Sequence, residues 1–157
     1  MKTINIDLEI KVYKYDELPE TDRILVKKAR EATFRSYAPY SHFSVGAAIL
    51  LDNGEIIEGS NQENVAYPSG TCAERSACYY AGARYPDARF EAIAIAARGT
   101  DGEFTETPTA PCGACRQALL EYETQAKHNV RVLLAARDEV YVIPSVNATL
   151  PLAFTDF

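Results

Sequence analysis

No stretch of this 157-residue chain approaches the roughly 18 to 20 apolar residues that a membrane-crossing helix needs, which sets a membrane partner aside. Its opening residues, Met1 to Asp7, alternate in character and hold no apolar run of signal-peptide type. Lys/Arg clusters are missing too. The formal net charge is −6, and an acidic surface is repelled by phosphate backbones, so nucleic acid is excluded as a partner. Internal repeats and low-complexity tracts are absent. Cysteine is scarce, with four in the chain. Without a secretory signal those four fit a reducing cytoplasm, where thiols bind metal more readily than they pair. What remains is a cytoplasmic protein acting on a small molecule. Hydrophobic residues at 47% and charged residues at 24% are ordinary for a globular protein, and the length suits one domain, 1–157, with a real core.

Periodicity gives the elements. Ile4, Ile6, Leu8, Ile10 and Val12 alternate with polar residues, which predicts a half-buried strand. Thr21 caps a predicted helix running to about Tyr37. Runs at 43–51 and 55–58 flank Asp52-Asn53-Gly54, a hairpin signal. A helix begins near Cys72 and continues through Tyr80, and 92–97 reads as a buried strand. Residues 99–111 hold Gly, Pro, Thr and acids and read as a surface loop. A further helix runs from Cys112 or Gly113 to about Ala126, before strands at 130–136 and 140–143. Strands separated by helices imply a layered α/β domain with a central mixed sheet of about five strands flanked by helices.

The chemistry concentrates in Cys72-Ala73-Glu74 and Pro111-Cys112-Gly113-Ala114-Cys115. Three cysteines bind one zinc ion and leave a tetrahedral position for water, and Glu74 is placed to move that water's protons. Cys112 and Cys115, three apart at a helix start, share a face. Cys72 opens a different helix, and two helix N-termini converging on one ion stabilise its thiolates. Three thiolates and Zn²⁺ sum to −1, so a neighbouring cation is needed to keep the bound water acidic. Arg75 and Arg116 flank the constellation, and Arg75 is the first choice. The competing arrangement is a zinc knuckle with Cys78 as fourth ligand, but Cys78 lies roughly 240° around the helix from Cys72. A buried apolar thiol suits it better.

The sequence resembles the small, tetrameric type of cytidine deaminase. Four blocks carry the resemblance: Ala38 to Ala48 (APYSHFSVGAA), Asn61 to Asn64 (NQEN), Thr71 to Ala77 (TCAERSA) and Pro111 to Gln117 (PCGACRQ). A weaker match is Leu150 to Phe154. The resemblance implies Cys72, Cys112 and Cys115 as zinc ligands, Glu74 as proton shuttle, and Asn61 and Glu63 on the ribose hydroxyls. Phe43 packs against the nucleoside, the main chain at Ala73 meets the pyrimidine edge, and Arg75 hydrogen-bonds ligand thiolates. Phe154 and Tyr67 reach a neighbouring subunit's site in a homotetramer. Plainer roles stand beside these: Asn61 as a turn former, Glu63 as a solvated charge, Phe43 in the core, Phe154 as an anchor for the tail. The segment 1–20 lies outside the family core as an extension able to add an edge strand or a subunit contact.

The implied reaction is zinc-dependent hydrolytic deamination of cytidine and deoxycytidine to the uridine forms with release of ammonia, a step of pyrimidine salvage. A deaminase of another aminopyrimidine nucleoside, the blasticidin type, is the nearest rival, and Asn61-Gln62-Glu63-Asn64 argues against it as a ribose-binding element. A non-catalytic zinc-stabilised interaction module is the rival from another class, and it needs a fourth protein ligand.

Overall fold

The computed structural model describes residues 1–155. One six-stranded mixed sheet organises it, built from β1 (Lys11–Lys14), β2 (Ser44–Leu51), β3 (Ile56–Ser60), β4 (Phe90–Arg98), β5 (Arg131–Ala135) and β6 (Glu139–Ile143). The spatial order is β1-β6-β5-β4-β2-β3. Only β4 and β5 run parallel, and a parallel pair needs a crossover. The helix α3 (Gly113–Ala126) supplies it, while α1 (Glu20–Ala32) and α2 (Ala73–Arg84) complete the helices.

The sheet is a central layer because its strands alternate two kinds of side chain. Ala92, Ala94 and Ala96 of β4 pack with Leu25, Val26 and Ala29 of α1. Ile93 and Ile95 point the other way, into a cluster with Ala77, Cys78 and Leu119 of α2 and α3. Two glycines set how closely the helices approach. A Cβ on Gly46 would meet the Ala29 carbonyl oxygen at 2.2 Å, and one on Gly59 would meet that of Ala73 at 2.5 Å. Main chain therefore lies against main chain on both faces of the hairpin.

Three expectations are corrected. The sheet has six strands rather than about five, because β1 joins it by pairing with β6. The alternating segment is not a half-buried strand over 4–12: residues 1–10 have no regular secondary structure and are exposed, and the strand begins at Lys11. Periodicity alone cannot distinguish a paired strand from one whose partner is missing. Helix α1 ends at Ala32, five residues short of Tyr37, and Pro19 rather than Thr21 occupies its N-cap. The Thr33 hydroxyl donates back to the Arg30 carbonyl at 2.7 Å, a local bond that competes with continuation. Beyond it, Tyr37 is drawn into an extended bridge with Gln62. Among the described residues no helix is long and apolar enough to cross a membrane.

Candidate active site

Cys72 and Cys112 occupy the same kind of position, the N-caps of α2 and α3, each with extended backbone just before the helix. Neither sulfur caps its own helix. The first-turn bonds are made instead by the carbonyls, with Ser76 N donating to Cys72 O and Arg116 N to Cys112 O, both at 3.0 Å. The sulfurs are thereby free to face one another beside two positive helix ends. Cys72 Sγ lies 4.0 Å from Cys112 Sγ, which lies 3.5 Å from Cys115 Sγ. All three fall within 4.8 Å of one another. Tetrahedral zinc with Zn–S bonds of about 2.3 Å separates its sulfur ligands by roughly 3.8 Å, so the donor set fits that ion.

Glu74 is buried in the first turn of α2 beside this cluster. Burial pushes its carboxyl above the ordinary glutamate range. Arg75 donates from Nη2 to Cys72 Sγ at 3.8 Å, and that contact raises its pKa further. Arg116, the other candidate cation, is spent elsewhere: Nε donates to the Pro111 carbonyl at 2.8 Å and Nη1 to that of Thr149 at 2.7 Å. Cys78 stands apart, fully buried, with its sulfur directed at the Arg75 carbonyl. Burial raises that thiol to about 12, which keeps it protonated and inert. The four-thiolate knuckle is therefore not formed among the described residues.

A cavity of about 660 Å³ opens above the cluster. Cys72, Ala73, Glu74, Arg75 and Cys112 line it, as do Asn61, Glu63 and Tyr67 from the chain preceding α2. Asn61 is held on both ends, Oδ1 accepting from Val45 N at 2.8 Å and Nδ2 donating to the Phe43 carbonyl at 2.9 Å. Glu63 accepts from the Ser41 hydroxyl and from Tyr40 N, which together hold its carboxyl below the usual range. Phe43 and Phe154 do not line the cavity. Phe43 is half-buried, and the Phe154 carbonyl accepts from Gln117 Nε2 at 2.8 Å while the residue is 67% exposed. Sequence reasoning assigned no role to Ser41, Thr109 or Ala110. Ser41 sits within the 38–48 block, so its signal was present. Thr109 and Ala110 come from the 99–111 loop, where no periodicity marks a residue for the cavity.

The profile described as the cytidine and deoxycytidylate deaminase zinc-binding region matches residues 19–130. A cytidine deaminase of Halalkalibacterium halodurans is 42% identical over 99 residues, covering 63% of this chain and 70% of that protein. One from Mycobacterium tuberculosis is 37% identical over 118 residues, covering 73% of this chain and 84% of its own length. Among solved structures, the cytidine deaminase of Burkholderia pseudomallei superposes with a TM-score of 0.71 at 36% identity, covering 87% of this chain and 100% of that one.

Proposed function

This chain belongs to the cytidine and deoxycytidylate deaminase family, and on that premise we propose that it hydrolyses the exocyclic amino group of cytidine and deoxycytidine, releasing ammonia and the uridine nucleoside. The observation that carries the reading is a buried glutamate, Glu74, beside three convergent thiols, with Glu74, Cys72 and Cys112 lining a nucleoside-sized cavity.

Cys72, Cys112 and Cys115 hold one zinc ion per chain, and the metal supplies Lewis acidity that lowers the pKa of an adjacent water. Glu74 takes the proton from the attacking water as the C4–O bond forms and hands it to ring N3, so positive charge is not built up there unaided. The same carboxylate then takes the proton of the new C4 hydroxyl and passes it to the amino nitrogen, so that the C4 carbonyl forms as the C4–N bond breaks and ammonia leaves. Burial suits Glu74 to this exchange, because a carboxyl raised toward neutrality both accepts and donates readily. The Ala73 main chain meets the pyrimidine edge. Asn61 and Glu63 receive the ribose hydroxyls, and the bonds that already fix them to residues 40–45 keep both groups in place. Arg75 offsets the negative charge of three thiolates.

A nucleoside is favoured over its monophosphate. The cavity lining contains two carboxylates, Glu63 and Glu74, and its one cation among the described residues, Arg75, is engaged with Cys72. A phosphate entering there meets repulsion without a free partner. Phe43 keeps its proposed place against the nucleoside although it does not line the cavity, while Tyr67, 80% exposed, and Phe154, which also does not line it, take their substrate-facing roles within a homotetramer whose tails complete neighbouring sites. The setting is cytoplasmic pyrimidine salvage. Incubation with cytidine, deoxycytidine and deoxycytidylate, followed by ultraviolet absorbance and ammonia release, is the test. Turnover of both nucleosides with little turnover of the nucleotide is expected. Turnover of the nucleotide alone overturns the substrate class, and no turnover of any of the three by zinc-loaded protein overturns the reading.

A further inference from the structure

The amino-terminal arm carries an apolar stripe that this chain does not use. Ile4, Ile6, Leu8, Ile10 and Val12 alternate with other residues along it, so that they share a side wherever it is extended, and they are exposed to between 76% at Ile4 and 40% at Ile10. The arm leads directly into β1, an outermost strand that pairs with β6 on one edge only. An edge strand continued by an alternating apolar segment is a template for another strand. The opposite side of the arm carries Asp7, Glu9, Lys11 and Tyr13, and this charge order decides what fits there.

Antiparallel pairing of the segment with a copy of itself keeps the apolar sides together only when the twofold axis passes through a residue. An axis at Asp7, Glu9 or Lys11 sets that residue against its own copy, and an axis at Leu8 sets Asp7 against Glu9. All four oppose like charges, and the axis at Glu9, although it also sets Asp7 against Lys11 twice, places Glu9 on Glu9 at its centre. An axis at Ile6 or Val12 avoids repulsion but forms no pair of opposite charges. The axis at Ile10 alone sets Glu9 against Lys11 twice, with Leu8 against Val12 and Ile10 against Ile10. The Ile6 side chain then lies along the aliphatic stem of Lys14. Within one chain Glu9 and Lys11 are already neighbours, with Nζ and Oε1 3.6 Å apart. Pairing of two copies closes a four-membered ring of alternating charges.

We propose that residues 6–14 pair antiparallel with the same segment of a second copy of this chain about a twofold axis at Ile10, joining two sheets edge to edge. The pairing is independent of the zinc site, since Glu9, Ile10 and Lys11 lie outside the cavity lining.

Cysteine cross-linking of the full-length, zinc-loaded protein reads the register. Cross-strand partners in an antiparallel pair sit about 5 Å apart, within disulfide reach. Position 6 lies roughly 27 Å from its own copy in this register. Under mild oxidation Ile10→Cys should give a covalent dimer whose link maps by peptide mass to position 10, while Ile6→Cys gives none. Adding Glu9→Lys or Lys11→Glu to Ile10→Cys should slow the linkage roughly threefold or more. Mixing those two variants should restore it, because each then faces its complement. Absence of the position-10 dimer, equal or preferred linkage at position 6, or rates indifferent to the charge changes would each overturn the pairing. None of these results bears on deamination, which is assayed separately on the same samples.

Discussion

Glu74 and Gln differ by one group at almost constant shape, so Glu74→Gln removes the proton carrier without opening the core. Zinc content and fold should survive, and turnover should fall by roughly 10²–10⁴, read from steady-state rates against metal analysis of the same sample. Near-native turnover would remove Glu74 from the mechanism. Arg75→Gln acts on charge rather than on protons. Its contact with Cys72 disappears, the cluster becomes more anionic, and either the catalytic rate or the resistance of zinc to chelation should drop. Cys78 provides the contrast on the same helix. Its thiol is buried and turned toward the Arg75 carbonyl, so Cys78→Ser should keep one zinc per chain by elemental analysis. Loss of zinc in that variant would mean that Cys78 is a ligand after all.

At the scale of elements, Cys72 and Glu74, the proposed ligand and proton carrier, are positioned by how tightly α2 lies on the hairpin. Gly59→Ala would drive a methyl into the Ala73 carbonyl and the Ala77 amide, the first turn of the helix that carries Cys72 and Glu74. Overpacking of this kind costs about 1–3 kcal/mol, and here it also shifts a ligand. Gly46→Ala meets Ala29 and Thr33 on the opposite face, against α1. Both variants should melt earlier, but only Gly59→Ala should also weaken zinc retention. Equal zinc loss in both would show that general loosening, not the α2 contact, controls the metal. The helices bearing the cysteines were legible in the sequence because cap, motif and period coincide there; α3 spans Gly113–Ala126, as its pattern predicts. The contacts joining distant segments were not. Asp22 is buried under the bidentate Arg131 guanidinium, 109 positions away, at 2.7 and 2.8 Å. Glu123 of α3 is buried and accepts backbone N–H groups of Val130, Val146 and Asn147. Periodicity reports which face a residue occupies and says nothing of which loop will fold over it.

For the molecule as a whole, the carboxy-terminal segment is the structure's most direct link between fold and assembly. Glu123 fixes its start, and Arg116, next in sequence to Cys115, fixes the carbonyl of Thr149. Gln117 then holds the main chain at Phe154, so the tail is tethered to the helix that carries two of the thiols. Leu150 and Ala153 pack against the core, whereas Leu152 is 95% and Phe154 67% exposed, and Phe157 lies outside the described residues. Two large apolar side chains largely exposed on a firmly held main chain suit a surface other than their own. The proposed homotetramer provides that surface at a neighbour's cavity, where Tyr67 and Val65 are also exposed. Light scattering of the intact protein should give a mass of about four chains. Truncation after Pro151 removes Leu152 and Phe154 but leaves the Thr149 anchor, so each chain should keep its zinc while activity falls roughly tenfold or more as substrate loses its closing wall. A fully active monomer, or a truncated protein with undiminished turnover, would refute the shared sites while leaving the chemistry of Glu74 and the three thiols standing.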